Sequence, residues 1–253
     1  MKEFTRRMLS IAIPITLQNL ISTGLNLVDN LMVGQLGTTA IAAVGLVNQV
    51  VFILNLFTFG ASSGAGIFVS QYWGKRDEKS IERTLGHIIY ITMGAATVFF
   101  VLLYVFPEGI LKIFTSDTEV IRLGTEYARP VAFSTFLTSF SFIMAMALRT
   151  VEKARIPLYI SLVALSINTV GNYILIFGLG SIPAMGVFGA SVATLVARIA
   201  EFFIFLYIAL RRLTPIRFTL WAFRFDGPFF RRLMKYATPV IFNEFLWSLG
   251  VTV

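Results

Sequence analysis

Read for polarity alone, the chain is a series of long apolar runs broken by short polar turns. The runs cover about 9 to 33, 44 to 72, 87 to 107, 127 to 148, 156 to 179 and 185 to 210, and a seventh begins near Lys235 and continues to Val253. Each of the first six is long enough to cross a hydrocarbon core of about 30 Å as a helix rising 1.5 Å per residue. The pattern therefore predicts an all-α integral membrane protein, with a six-helix transmembrane bundle and the start of a seventh helix. The first run is too long, and too rich in Asn and Gln, for a cleaved signal peptide, so it is read as a helix that stays.

Composition agrees. Hydrophobic residues make up 57% of the chain and charged residues 13%, against about 25% charged in ordinary soluble domains. The chain has no cysteine and one histidine, His87, which argues against disulfides, thiol chemistry and a His-rich metal site. No GxxxxGK[ST] phosphate loop occurs, so an ATP-driven pump is disfavoured. An enzyme is disfavoured as well, since Asp117, Glu119 and His87 lack the clustered acid, base or nucleophile that chemistry requires.

The net charge of +8 would suggest a nucleic-acid partner in a soluble protein. Here 17 of the 21 Lys and Arg lie before the first span or in the gaps "GKRDEKSIER", "RTVEKAR" and "RRLTPIRFTLWAFRFDGPFFRRLMK". The other gaps, "GQLGTTA" and "GLGSIPAMG", carry no charge, and the long gap before Pro130 mixes Lys112, Arg122 and Arg129 with acids. By the positive-inside rule, the N-terminus and the basic gaps face the cytoplasm of a multi-pass cell-membrane protein. The basic excess reports topology, and no nucleic-acid partner is implied.

An internal repeat interrupts at the end of the chain. At an offset of 225 residues, "FTRRMLSIAIPITLQN" aligns with "FFRRLMKYATPVIFNE", pairing Phe4 with Phe229, Arg6 and Arg7 with Arg231 and Arg232, Pro14 with Pro239, and Gln18 with Asn243. Two homologous six-helix bundles are implied, and because six is even the copies enter from the same side. The domains read as a six-helix lobe at 1–212, a cytoplasmic linker at 213–230 and the start of a second lobe at 231–253. The whole would be a pseudo-symmetric twelve-helix transporter, with the C-terminal lobe of the same protein as partner.

Polar residues inside the spans fall on helical faces. Gln18, Ser22, Asn26 and Asp29 are spaced by four, four and three, as are Asn48, Asn55 and Ser62 in multiples of seven on the second span, and Ser134, Thr138 and Ser141 on the fourth. Asn168 and Asn172 share a face of the fifth, Ala190 and Thr194 a face of the sixth, and Arg198 and Glu201 are spaced for a structural ion pair. Asparagines and a carboxylate at membrane depth point to a wet interior cavity more than to packing between helices. Pro14 removes a hydrogen bond inside the first helix, and a bend there is expected.

These residues resemble the multidrug and toxic compound extrusion (MATE) transporters. The resemblance rests on "IPITLQNLISTGLNLVDNLMVGQLG", "GASSGAGIFVSQYWGKRD", "NTVGNYILIFGLG" and "GVFGASVATLVAR", and it covers essentially the whole chain. It implies a cation-coupled antiporter, driven by protons or sodium, that exports amphipathic, often cationic organic compounds by alternating access across the lipid bilayer. It also implies a coupling-cation site at Asp29, Asn168, Asn172 and Thr194 with the Ala190 carbonyl, and an acid in the seventh helix at Glu244. Pro14 is the expected hinge, from the bend it puts in the first helix. Gln18, Asn26, Asn48, Asn55 and Glu244 are expected to line the cavity. Where the family pattern has a second aspartate this chain has Asn172, which leaves proton and sodium both open. No cofactor is implied beyond a sodium ion. The alternative is a flippase for lipid-linked oligosaccharides or a polysaccharide exporter of related architecture, whose cavity should hold several Arg or Lys at depth, where here only Arg198 qualifies.

The topology is testable by labelling. In the full-length protein, Thr38→Cys, Ser116→Cys and Ser181→Cys should react with an impermeant thiol reagent added outside intact cells, while Asp77→Cys and Lys153→Cys should not. The inverse pattern would reverse the orientation.

Overall fold

The computed structural model describes residues 2–211, 216 and 219–252, and within them the side chains other than those of 2–4, 6, 7, 25, 220, 221, 245 and 247–252. Eight α-helices follow in chain order: α1 Lys2–Gly34, α2 Thr38–Gly74, α3 Glu78–Val105, α4 Pro107–Phe114, α5 Thr118–Thr150, α6 Arg155–Phe177, α7 Gly186–Leu210 and α8 Gly227–Thr252. A short 3-10 turn, Leu220–Phe223, precedes α8. Six of them, α1, α2, α3, α5, α6 and α7, are long and apolar enough to cross a membrane.

The helices outrun the apolar runs because hydropathy marks what faces lipid, whereas a helix continues until its backbone is capped. Asp77 caps α3 by accepting the Ser80 N–H at 3.1 Å and its hydroxyl at 2.6 Å. Asp117 caps α5 through the N–H groups of Glu119 and Val120, and the polar turn that follows is held by Arg122, paired with Glu119 and Glu126 at 2.6 Å each. The hydropathy pattern misses α4 altogether. This helix of eight residues starts on Pro107 and seats buried Leu111 against Gly124 of α5, with proline favoured at a first helical position because its missing N–H would be unpaired there anyway.

Helix α5 is central, packing against α2, α3, α4 and α7, while α6 joins α7 on one side and α1 on the other. Over the most apolar window of α5, 56% of residues are buried, against 6% for α1. Two apolar clusters fill the bundle. One lies toward the basic turns and includes Ile81, Leu85, Ile143, Met144, Leu148 and Phe205. The other lies toward the opposite end and includes Val44, Val47, Leu103, Leu111, Ile121 and Ala190.

The segment from Thr219 into α8 is docked on α3. The Thr219 hydroxyl donates to Glu82 at 2.8 Å, the Ala222 carbonyl rests against Gly86, Tyr90 donates to the Phe223 carbonyl, and Arg83 pairs with Asp226. His87 bridges them: Nδ1 lies 2.7 Å from the Arg83 carbonyl and therefore carries the proton, so Nε2 accepts the Asp226 N–H at 3.0 Å. The part of the expected linker at 213–215, 217 and 218 lies outside the described residues.

Helix α8 lies along α2. Gly60 and Gly64, one turn apart, face Ile241 and Ala237, themselves one turn apart, the close small-residue approach by which helices associate when apolar lipid supplies no hydrophobic drive between them. A Cβ built on Gly64 would stand 2.5 Å from the Ala237 Cα, whereas one on Gly45 of the same helix meets nothing within 4 Å. Gly64→Ala should therefore destabilise the full-length protein by about 1–3 kcal/mol through overpacking. Gly45→Ala should be neutral or stabilising by up to ~1 kcal/mol. Thermal melts of both variants in detergent compare the two.

Candidate functional site

Helices α1, α2, α5, α6 and α7 line a cavity of about 430 Å³. Its walls carry Asn26, Asp29 and Asn30 from α1, Asn48 and Asn55 from α2, Tyr127, Ser134 and Thr138 from α5, Asn168 and Asn172 from α6, and Ala190, Thr194 and Arg198 from α7. The four-residue spacings of α6 and α7 put Asn168 over Asn172, and Ala190, Thr194 and Arg198 in one row, as helical geometry requires.

Asp29 is the centre of the polar contacts. The Asn172 amide donates to its Oδ1 at 2.9 Å. The Asn168 carboxamide sits beside its other oxygen, and two oxygens facing each other would repel, so the nitrogen is the atom that points there, 2.6 Å from Oδ2 and 3.3 Å from Oδ1. The remaining carboxamide atom of Asn168 lies 3.3 Å from the Thr194 hydroxyl, which donates to the Ala190 carbonyl at 3.0 Å. A carboxylate is thus closed by two neutral donors from one neighbouring helix, and α1 is tied to α6 through it.

The five expected coupling-site residues are therefore brought together. In the arrangement described, N–H groups face Asp29, and the Ala190 carbonyl is taken by Thr194. Rotation of the two carboxamides would turn their oxygens inward. Asn172 Oδ1 is buried with no hydrogen-bond partner in the protein, and with Asp29, Asn168, Thr194 and Ala190 it completes a set of oxygens of the kind hard cations take.

Two expected positions fall elsewhere. Gln18 does not line this cavity. It is buried about 16 Å farther along α1, by a rise of 1.5 Å for each of the eleven steps between it and Asp29, where it donates to Ser161 at 2.6 Å and accepts from Arg149 at 2.7 Å. The shared face is real, but it is longer than one cavity. Glu244 is also absent from the lining, because α8 packs on α2 and not on the α1, α6 and α7 wall. Ser62 and Ser141 are buried away from the lining. Helix α1 runs unbroken through Pro14.

The expected Arg198 to Glu201 pair is present at 2.6 Å, with Glu201 sealed and Arg198 open to the cavity. Sequence reasoning missed Tyr127, whose hydroxyl lies 3.5 Å from Asn48 Oδ1. Stepping the Ser134, Thr138 face of α5 back by seven residues reaches it.

Six helices long and apolar enough to cross a membrane, five of which line a polar cavity, are the architecture of a membrane transporter lobe. A family model described as MatE matches residues 14–174, and the chain belongs to the MATE family, whose members are transporters and not enzymes. It is 31% identical over 239 residues to the probable multidrug resistance protein NorM of Rhizobium meliloti (strain 1021), covering 93% of this chain and 50% of that protein. It is 27% identical over 249 residues to the probable multidrug resistance protein YoeA of Bacillus subtilis (strain 168), covering 97% and 54%. Among solved structures, the outward-facing conformation of a multidrug resistance MATE family transporter superposes with a TM-score of 0.87 at 21% identity, covering 97% of this chain and 54% of that one. The chain spans about half the length of the curated relatives it matches.

The clasp at Gln18 makes a prediction of its own. Gln18→Ala strands the Arg149 guanidinium and the Ser161 hydroxyl, and should lower the stability of the full-length transporter by about 1–2 kcal/mol. Gln18→Glu, which restores an acceptor for Arg149, should recover most of it in the same thermal melt.

Proposed function

We propose that the full-length protein is a cation-coupled antiporter that exports amphipathic or cationic organic compounds by alternating access, with this chain supplying one lobe and its coupling site. The observation that carries the reading is Asp29, clasped by Asn168 and Asn172 on the wall of a polar cavity. Carboxylates at membrane depth cost roughly 2.5–3.5 kcal/mol on insertion scales, so a purely structural role would be served at less cost by Asn. The names of the relatives support a multidrug cargo.

In this reading a proton or a sodium ion neutralises Asp29 and changes its hold on α6. Protonated, the carboxyl loses charge-assisted acceptance from both amides; with sodium, the carboxamides turn their oxygens inward. Protonation loosens α1 from α6, since α1 has little other packing to keep it in place, whereas a sodium ion shared by the two helices replaces the amide bonds with its own coordination. Pro14 is the hinge proposed for the movement of α1. The ionised cavity favours a cationic cargo and the neutral one releases it, which exchanges the two. The basic ends of the helices face the cytoplasm.

The test is Asp29→Asn in the full-length transporter reconstituted in liposomes, under an imposed proton gradient and, separately, a sodium gradient. Insertion should be normal and gradient-driven export lost. Asn172→Ala, which keeps the carboxylate, should give a milder defect. Export by Asp29→Asn at the parent rate under the same gradient would place the coupling site elsewhere.

A further inference from the structure

Where α2 ends, a second cavity of about 270 Å³ opens between α2 and α8. Ile67, Phe68, Gln71, Tyr72 and Lys75 line it from one side, Arg232 and Tyr236 from the other. Each helix presents a matched row: Phe68 and Tyr72, Gln71 and Lys75, and Arg232 and Tyr236 are each four residues apart and share a face. The Phe68 ring meets Tyr236 edge-on with centroids 5.3 Å apart, which gives the cavity an aromatic back wall. Among the described residues its polar groups are two cations, two phenols and one carboxamide, with no carboxylate in the lining. Asp77, the acid nearest to Lys75 in sequence, does not line the cavity; the Ser80 hydroxyl and N–H, and more weakly the charges of Lys75 and Lys79, hold its carboxyl below the usual carboxylate range.

The level of the cavity matters as much as its charge. The 37 residues of α2 rise about 55 Å, well beyond a hydrocarbon core of about 30 Å, so the terminal turn bearing Gln71 to Lys75 reaches the headgroup layer. Tyrosines favour that layer, and basic pockets between helices there recognise lipid phosphate. Lys75 and Arg232 line this cavity from opposite helices, so an anion placed in it is attracted by both. Ile67 and Phe68 continue the lining toward the membrane interior as an apolar floor.

We propose that this cavity binds the phosphate of an anionic phospholipid, with Arg232 and Lys75 on the phosphate oxygens, Gln71 and the two tyrosine hydroxyls donating to the headgroup, and the acyl chains passing over Ile67 and Phe68. Arg232 offers a planar fork and Lys75 a point charge, and they come from the two helices that meet at Gly60 and Gly64. The lipid therefore bridges the six-helix lobe to α8. The proposal rests on membrane embedding and not on ion coupling at Asp29.

The experiment uses the full-length transporter in detergent, with added phosphatidylglycerol, phosphatidylcholine or inorganic phosphate, and reads the thermal midpoint together with bound lipid by native mass spectrometry. Phosphatidylglycerol should raise the midpoint and remain bound, while phosphatidylcholine and inorganic phosphate should do neither. The double variant Lys75→Gln, Arg232→Gln should lose the rise and retain at least tenfold less phosphatidylglycerol. Lys153→Gln, Arg155→Gln, which removes equal charge from the same end outside the cavity, should keep both, as should Asp29→Asn. Equal retention of phosphatidylcholine, or a full response from the Lys75, Arg232 double variant, would overturn the site. A full rise from inorganic phosphate alone would overturn the lipid as its occupant.

Discussion

A hydrocarbon layer offers no water, and most of this architecture follows from that. Apolar side chains gain little by meeting each other when lipid tails are as apolar as they are, so the forces that decide which helices touch are close contact and polar pairing. Helix α1 shows it most clearly. It buries little, and what fixes it is the Asp29 clasp on α6 and the Gln18 clasp on α5 and α6. Helices α2 and α8 show the other solution, in which Gly60 and Gly64 let two backbones approach until ordinary side chains would collide.

The two ends of the bundle differ in kind. The basic end is heavily pinned, with an apolar cluster under the docked segment and a chain of contacts through Glu82, Arg83, His87 and Tyr90. The other end is hollowed by the polar cavity, whose walls share Val33, Val44 and Ala190 with the second apolar cluster. Parts that rearrange need groups with more than one satisfactory partner, and carboxamides provide this, since half a turn of the amide changes a donor into an acceptor.

Much of this was legible in the sequence, and the misses have physical reasons. Six spans were readable because length and apolarity are local properties; their ends were not, because caps such as Asp117 and intrahelical pairs such as Arg122 with Glu126 carry a helix on through polar sequence. The pairing of Asn168 with Asn172 was visible as a spacing of four. Their meeting with Asp29 came from the family resemblance, since no local pattern links residues 143 apart. Gln18 was misplaced because periodicity gives the angle around a helix and not the distance along it. Glu244, expected from the resemblance, is off this cavity because a match within one helix does not say which neighbour that helix packs against. The docking of Thr219 to Asp226 on α3 is tertiary throughout, and nothing in those residues announces it.

The separation of Asp29 from its partners has a consequence in time. Both clasps on α1 close across gaps of 131 to 143 residues. A ribosome adding about 5–20 residues per second needs roughly 7–30 s to reach Asn172 after it has made Asp29. Through that interval α1 carries a carboxylate and a carboxamide whose partners on α5 and α6 do not yet exist. Docking of α1 on α6 therefore follows the synthesis of α6, and the residue that gives the lobe its centre meets its partners only after most of the chain between them has been made.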